Sequence, residues 1–106
     1  MASNIEFVEY ICDQCKDAGI ITYRKMFGEY SIYCDGKIIG LICDNQFFLK
    51  PTDMVKPYLK EIIMEPPYQG AKPAFLIESV SDSSYLSKIV ELTYQALPDK
   101  KLSPKQ

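Results

Sequence analysis

The chain has 106 residues, 47% hydrophobic and 25% charged, a balance that fits one soluble globular domain with a single core. A formal net charge of −2 argues against a broad nucleic-acid-binding surface, which needs clustered cations to neutralise phosphates. The absence of histidine excludes Ser-His-Asp and Cys-His catalysis within the chain, and every metal site that needs imidazole.

The N-terminal sequence MASNIEFVEY lacks the basic-then-apolar pattern of a secretory signal, and no window approaches the roughly 18 to 20 apolar residues of a membrane span. The expectation is a cytoplasmic protein with no membrane contact, its four cysteines kept as free thiols. Ser3-Asn4-Ile5-Glu6 has the spacing of a capping box and predicts a helix start. Ile5, Val8, Ile11 or Cys12, and Cys15 then recur at helical spacing, and Ala18-Gly19 predicts the stop, with glycine in the left-handed conformation.

From Ile20 the pattern turns to β. A first strand is expected near 21–27, interrupted at Gly28. Asp35-Gly36 and Asp44-Asn45 are two-residue hairpin signals, because their residues tolerate positive φ, and they delimit a meander of strands 29–34, 37–43 and 46–50. Such loops set Cys34 opposite Lys37 and Cys43 opposite Gln46. In that register one face carries Tyr30, Ile32, Cys34, Ile39, Leu41, Cys43 and Phe48, and the other Ser31, Tyr33, Ile38, Gly40, Ile42, Phe47 and Leu49. Both faces are substantially apolar, so either further chain covers the second face or a partner does.

Thr52 is a plausible N-cap for a short middle helix with Val55, Leu59, Ile62 and Ile63 on its apolar side. The Pro- and Gly-rich run from Glu65 to Pro73 reads as a loop, followed by a strand near 74–80. Asp82 or Ser83 caps a last helix with Leu86, Ile89, Val90, Thr93, Tyr94 and Leu97 along one stripe, closed by Pro98. The expected fold class is α+β, a central antiparallel sheet with N-terminal, middle and C-terminal helices. Residues 1–98 form the single domain and 99–106 a basic flexible tail.

Candidate chemistry is sparse. Cys12-Asp13-Gln14-Cys15 has the C-x-x-C form, but it lies toward a helix C-terminus, where the dipole raises thiol pKa values. A zinc site joining that pair to Cys34 and Cys43 fails on distance, since those two stand near opposite ends of adjacent strands, roughly 20 Å apart. No glycine loop fits a phosphate, and Tyr58, Lys60, Glu61 and Glu65 read as solvated helix charges. No catalytic residue, metal ligand or cofactor is assigned.

The run RKMFGEYSIYCDGKIIGLICDNQFFLKPT, residues 24–52, resembles the signature of the TfoX/Sxy family N-terminal domain, and PPYQGAKPAFLIES, residues 66–79, is similar to the second block of its small stand-alone members. The resemblance implies an α+β fold with a central antiparallel sheet flanked by helices. It also implies a non-enzymatic regulatory role in bacterial DNA-uptake gene control, and it carries over no catalytic or metal residue.

The leading expectation is therefore a regulatory protein-interaction module that binds another protein, a second copy of itself included. Arg24, Lys25, Tyr30, Tyr33 and Lys72 are the candidate interaction residues. Direct nucleic-acid binding is not expected. The alternative is a small-molecule-binding or enzymatic domain with a pocket between the sheet and the 65–73 loop, where Arg24, Tyr30 and Lys72 would converge. A thiol redox sensor is a third, testable by its alkylation rate.

Overall fold

The computed structural model describes residues 3–26 and 29–97. Phe27, Gly28, Pro98 and the segment 99–106 lie outside the described residues, and with them the strand end, the bend, the helix stop and the tail assigned to them. The chain runs α1 (Ile5–Gln14), β1 (Ile21–Met26), β2 (Glu29–Cys34), β3 (Lys37–Cys43), β4 (Gln46–Leu49), β5 (Met64–Glu65), β6 (Ala74–Ile77) and α2 (Ser83–Ala96), with single 3-10 turns at Lys16–Ala18 and Lys56–Tyr58. The strands form one antiparallel sheet in the order β1-β2-β3-β4-β6-β5. The fold is α+β, and no described helix is long and apolar enough to cross a membrane.

Both two-residue hairpin loops form as expected. Asp35 and Gly36 take φ of 49° and 86°, Asp44 and Asn45 take 54° and 57°, and the strands leave them with Cys34 opposite Lys37 and Cys43 opposite Gln46. The expected faces nevertheless fail. Tyr33 pairs with Ile38 but Ile32 with Gly40, so Ile39 is an extra residue in β3. Beyond this bulge each β2 residue meets a partner one position further along β3, which exchanges the faces. Tyr30, Ile32, Ile42, Phe47, Leu49, Phe75 and Ile77 stand together in the main core, while Leu41, Cys43, Phe48, Ala74 and Leu76 form a second cluster on the other side. Cys34 and Cys43, expected on one face, are thereby separated: Cys34 belongs to the main core and Cys43 to the second cluster.

Both helices cover the first face. Val8 and Ile11 from α1, Cys15 just beyond its end, and Leu86, Ile89 and Val90 from α2 are fully buried with the sheet residues. Each such aliphatic side chain contributes about 1.5–3 kcal/mol of burial. Ser87 Oγ donates to the Gln14 carbonyl at 3.1 Å and Gln14 Nε2 to the Val80 carbonyl at 2.9 Å, locking the end of α1 to α2 and the loop before it. Asp82 caps α2 by accepting from Tyr85 N at 3.1 Å. At its other end Lys37 Nζ donates to the carbonyls of Tyr94 and Leu97 at 3.3 and 3.0 Å, a cation against the negative pole of the helix.

Three local expectations change. The N-cap of α1 is Asn4, whose side chain accepts from Glu6 N at 2.8 Å, rather than Ser3. Ser3 is drawn away by a stronger set of partners: its hydroxyl donates to Glu29 Oε1 at 2.6 Å and accepts from Asn45 N at 3.0 Å, and its N–H also donates to Glu29 Oε1, at 3.1 Å. The helix ends at Gln14, and Gly19 is not left-handed helical: its φ of 154° and ψ of −159° lie where only glycine is at ease. A Cβ there would also press on Asp35 Oδ2 at 2.9 Å and Cys34 Sγ at 3.0 Å.

The middle helix shrinks to the turn Lys56–Tyr58, and Leu59 is already extended. A helix capped at Thr52 would place Pro57 beyond its first turn, where the missing N–H and the ring clash break the ladder. The chain instead runs on to β5, a two-residue strand added beside β6, with Met64 opposite Phe75 and Glu65 opposite Ala74.

Candidate functional site

Besides the two-residue edge strand β5, two larger features of the sheet remain open, the edge strand β1 and the face away from the helices. Every residue of β1 from Thr22 to Met26 is exposed, and β1 has a neighbour on one side only. Arg24 lies opposite Ser31 and Lys25 opposite Tyr30. The ion pairs among the described residues are Lys16 with Asp13 and Lys60 with Asp82, so Arg24 and Lys25 stand without a carboxylate there. Tyr33, half-buried, lines a shallow depression with Thr22, Tyr23, Arg24 and Gly36.

Tyr30 sits differently. It is 7% exposed and belongs to the core, with its ring packed edge-on against Tyr23 at 5.8 Å. What it offers outward is one wall of a hollow. Alternation alone could not show this, because Tyr30 sits on the same side of its strand as Ile32 and Cys34 whichever side the helices take.

The second face carries two apolar hollows. One of about 470 Å³ is lined by Met26, Glu29, Tyr30, Ser31, Leu41, Cys43 and Tyr68. The other, about 280 Å³, has Leu41 and Phe48 among its sheet residues, Pro67, Tyr68 and Pro73 from the loop, and Lys50 and Lys72 as its cations. Leu41 and Tyr68 belong to both. Ile63 packs on the second cluster and the 67–73 loop lines the smaller hollow, while Leu59 packs on the main core, so the chain itself answers part of the covering question. Lys72 is where an apolar pocket would place it. Arg24, Tyr30 and Lys72 do not converge, since each lines a different depression.

Leu41, Phe48, Lys50 and Tyr68 were missed as site residues. KIIGLIC is apolar at nearly every position, so no periodicity marks Leu41 as outward-facing, whereas Tyr68 between the Pro-Pro and Gln-Gly pairs was a legible signal. Ser31, fully buried at the base of the larger hollow, has a hydroxyl without a hydrogen-bond partner among the described residues. Glu29 on the same wall is engaged: its carboxylate accepts from the Ser3 N–H and hydroxyl and, through Oε2, from Asp44 N at 3.1 Å.

The thiols are held in their protonated form. Burial, with Glu9 adding, pushes Cys12 up to about 11, and burial, with Cys12 and Cys34 adding, pushes Cys15 to about 12. Cys34 rises to about 11 through burial, Asp35 and Glu91, with Lys37 opposing, and Cys43 to about 11 through burial, Glu29 and Asp44. A thiol is a poor nucleophile in this state. Among the described residues no group of three or more Cys, Asp or Glu is placed to hold a metal ion.

A six-stranded antiparallel sheet with both helices on one face, a bare edge and two hollows on the other defines a small α+β domain whose sheet is partly turned outward. The family described as TfoX N-terminal domain matches over residues 13–102, and the chain belongs to it. It is 31% identical over 99 residues to an uncharacterized 12.7 kDa protein in the trpE 5' region of Spirochaeta aurantia, covering 92% of this chain and 86% of that one.

Proposed function

We propose that the domain is a non-catalytic, cytoplasmic regulatory module that acts by binding another protein, and that the partner adds an extended acidic segment along β1. The observation that carries this is the edge strand itself: five consecutive exposed residues, with Arg24 and Lys25 free of ion pairs among the described residues. A free edge supplies main-chain hydrogen bonds to an added strand, and adjacent cations select for carboxylates on it. A second copy is disfavoured as occupant, because antiparallel self-pairing crowds the Arg24-Lys25 cations of one edge against those of the other. The raised thiol pKa values and the absence of histidine support a role without covalent chemistry.

The test uses the whole chain and a display library of extended peptides. Acidic, β-prone sequences should be enriched, should slow amide exchange at Thr22–Met26, and should lose at least tenfold in affinity to an Arg24→Glu/Lys25→Glu variant, about 1.4 kcal/mol. Enrichment without protection of β1, or indifference to the charge reversal, overturns the assignment. So does a concentration-dependent homodimer in sedimentation that protects the same amides.

A further inference from the structure

The geometry points to a second binding site, independent of the edge: the hollow between Leu41, Phe48 and the 67–73 segment takes an apolar monocarboxylate. Leu41 and Phe48 supply an apolar floor, Tyr68 and Pro67 a wall, and Lys50 and Lys72 the charge. Neither lysine has a carboxylate partner among the described residues. Two lysines without an ion pair among the described residues, both lining an apolar hollow of about 280 Å³, attract an anion, but the surrounding surface gives a small hydrated anion little else to hold. An amphiphile satisfies both halves of the site.

The neighbouring hollow gives the apolar part room to continue. It meets the first at Leu41 and Tyr68, is lined by Met26 and Cys43, and adds about 470 Å³. At its base the Ser31 hydroxyl is buried without a partner among the described residues, an unfavourable arrangement that is relieved when an occupant or its accompanying water reaches the oxygen. The carboxylate sits between Lys50 and Lys72, and the chain or ring lies on Leu41 and passes the Tyr68 side chain. Tyr68 is 59% exposed and lines both hollows, so its ring flanks the path between them.

Decanoate, kept below its micelle concentration, is the probe, with decanol and inorganic phosphate as its two halves presented separately. Calorimetry should show saturable one-to-one binding of decanoate, about tenfold weaker binding of decanol and none of phosphate. A Lys50→Gln/Lys72→Gln variant should bring decanoate down to the decanol level while leaving decanol unchanged, and Tyr68→Ala should weaken both. Tyr68 and Lys72 are exposed and Lys50 half-buried, and an unchanged melting temperature confirms that each variant folds. Absence of saturable decanoate binding overturns the site, as does equal affinity for decanol, competition by phosphate, or indifference to the lysine substitutions. Arg24→Glu/Lys25→Glu should leave decanoate binding intact, which separates failure here from failure of the edge assignment.

Discussion

Phe47 and Phe48 are neighbours in the chain and almost equally hidden, at 0% and 2% exposure, yet they stand on faces covered by different kinds of structure. Phe47 lies under two helices whose apolar stripes fill the space above it. Phe48 lies under an irregular segment that contributes Ile63 and Tyr68 and leaves hollows beside it. A regular helix closes over a sheet by repeating its apolar face every turn, whereas a proline-interrupted loop covers by a few contacts. Equal burial therefore does not imply equal packing.

The largest expected effect follows from that contrast. Phe47→Ala should cost about 3–5 kcal/mol in denaturant unfolding, and Phe48→Ala only about 2, because its surroundings can close on the space left. Equal losses would end the distinction between the faces. Gly40→Ala should cost about 1–3 kcal/mol, since a Cβ there collides with the Phe48 carbonyl oxygen and forces β3 and β4 apart. A neutral outcome would show that the meander is looser than its register implies.

A smaller effect is set by pH. The buried thiols keep their protons where the unfolded chain, at the ordinary value of 9.0, begins to lose them. Their raised values mean that stability is full below about pH 9 and falls as the pH climbs toward 11 and 12. Cys15 under the helices is shifted further than Cys43 under the loop, so Cys15→Ala should flatten the alkaline loss more than Cys43→Ala when unfolding midpoints are compared at pH 7.5 and 11.5, above the folded value of Cys43 and below that of Cys15. The reverse order would place the better-shielded thiol on the wrong face. Smallest of all, Tyr68→Ala should change stability by no more than about 0.5 kcal/mol, as befits an exposed loop side chain. A larger loss would make the loop part of the core.

Features decided by local chemistry were legible in the sequence. Asp35-Gly36 and Asp44-Asn45 fix their turns through positive φ within two residues, and of the two caps the sequence offers α2, Asp82 and Ser83, it is Asp82 that forms. The face assignment was not legible, because Ile38, Ile39, Leu41 and Ile42 fit either side and nothing local marks Ile39 as supernumerary. The middle helix failed for a reason present in the text, Pro57, which outweighed the cap and the apolar spacing. Among the candidate surface residues, Arg24, Lys25 and Lys72 are exposed, while the burial of Tyr30 depended on which way the helices closed.

The knot of bonds at Glu29 has a practical side. Ser3 brings two donors to that carboxylate and one acceptor to Asn45, while Asn4 N donates to the Asn45 side chain at 2.8 Å, so the opening residues brace the β3–β4 turn from across the sheet. Reporter proteins and affinity handles joined close to Ser3 would strain that brace, and trimming through it would leave Glu29 with a single donor. Attachment after α2 keeps the brace whole.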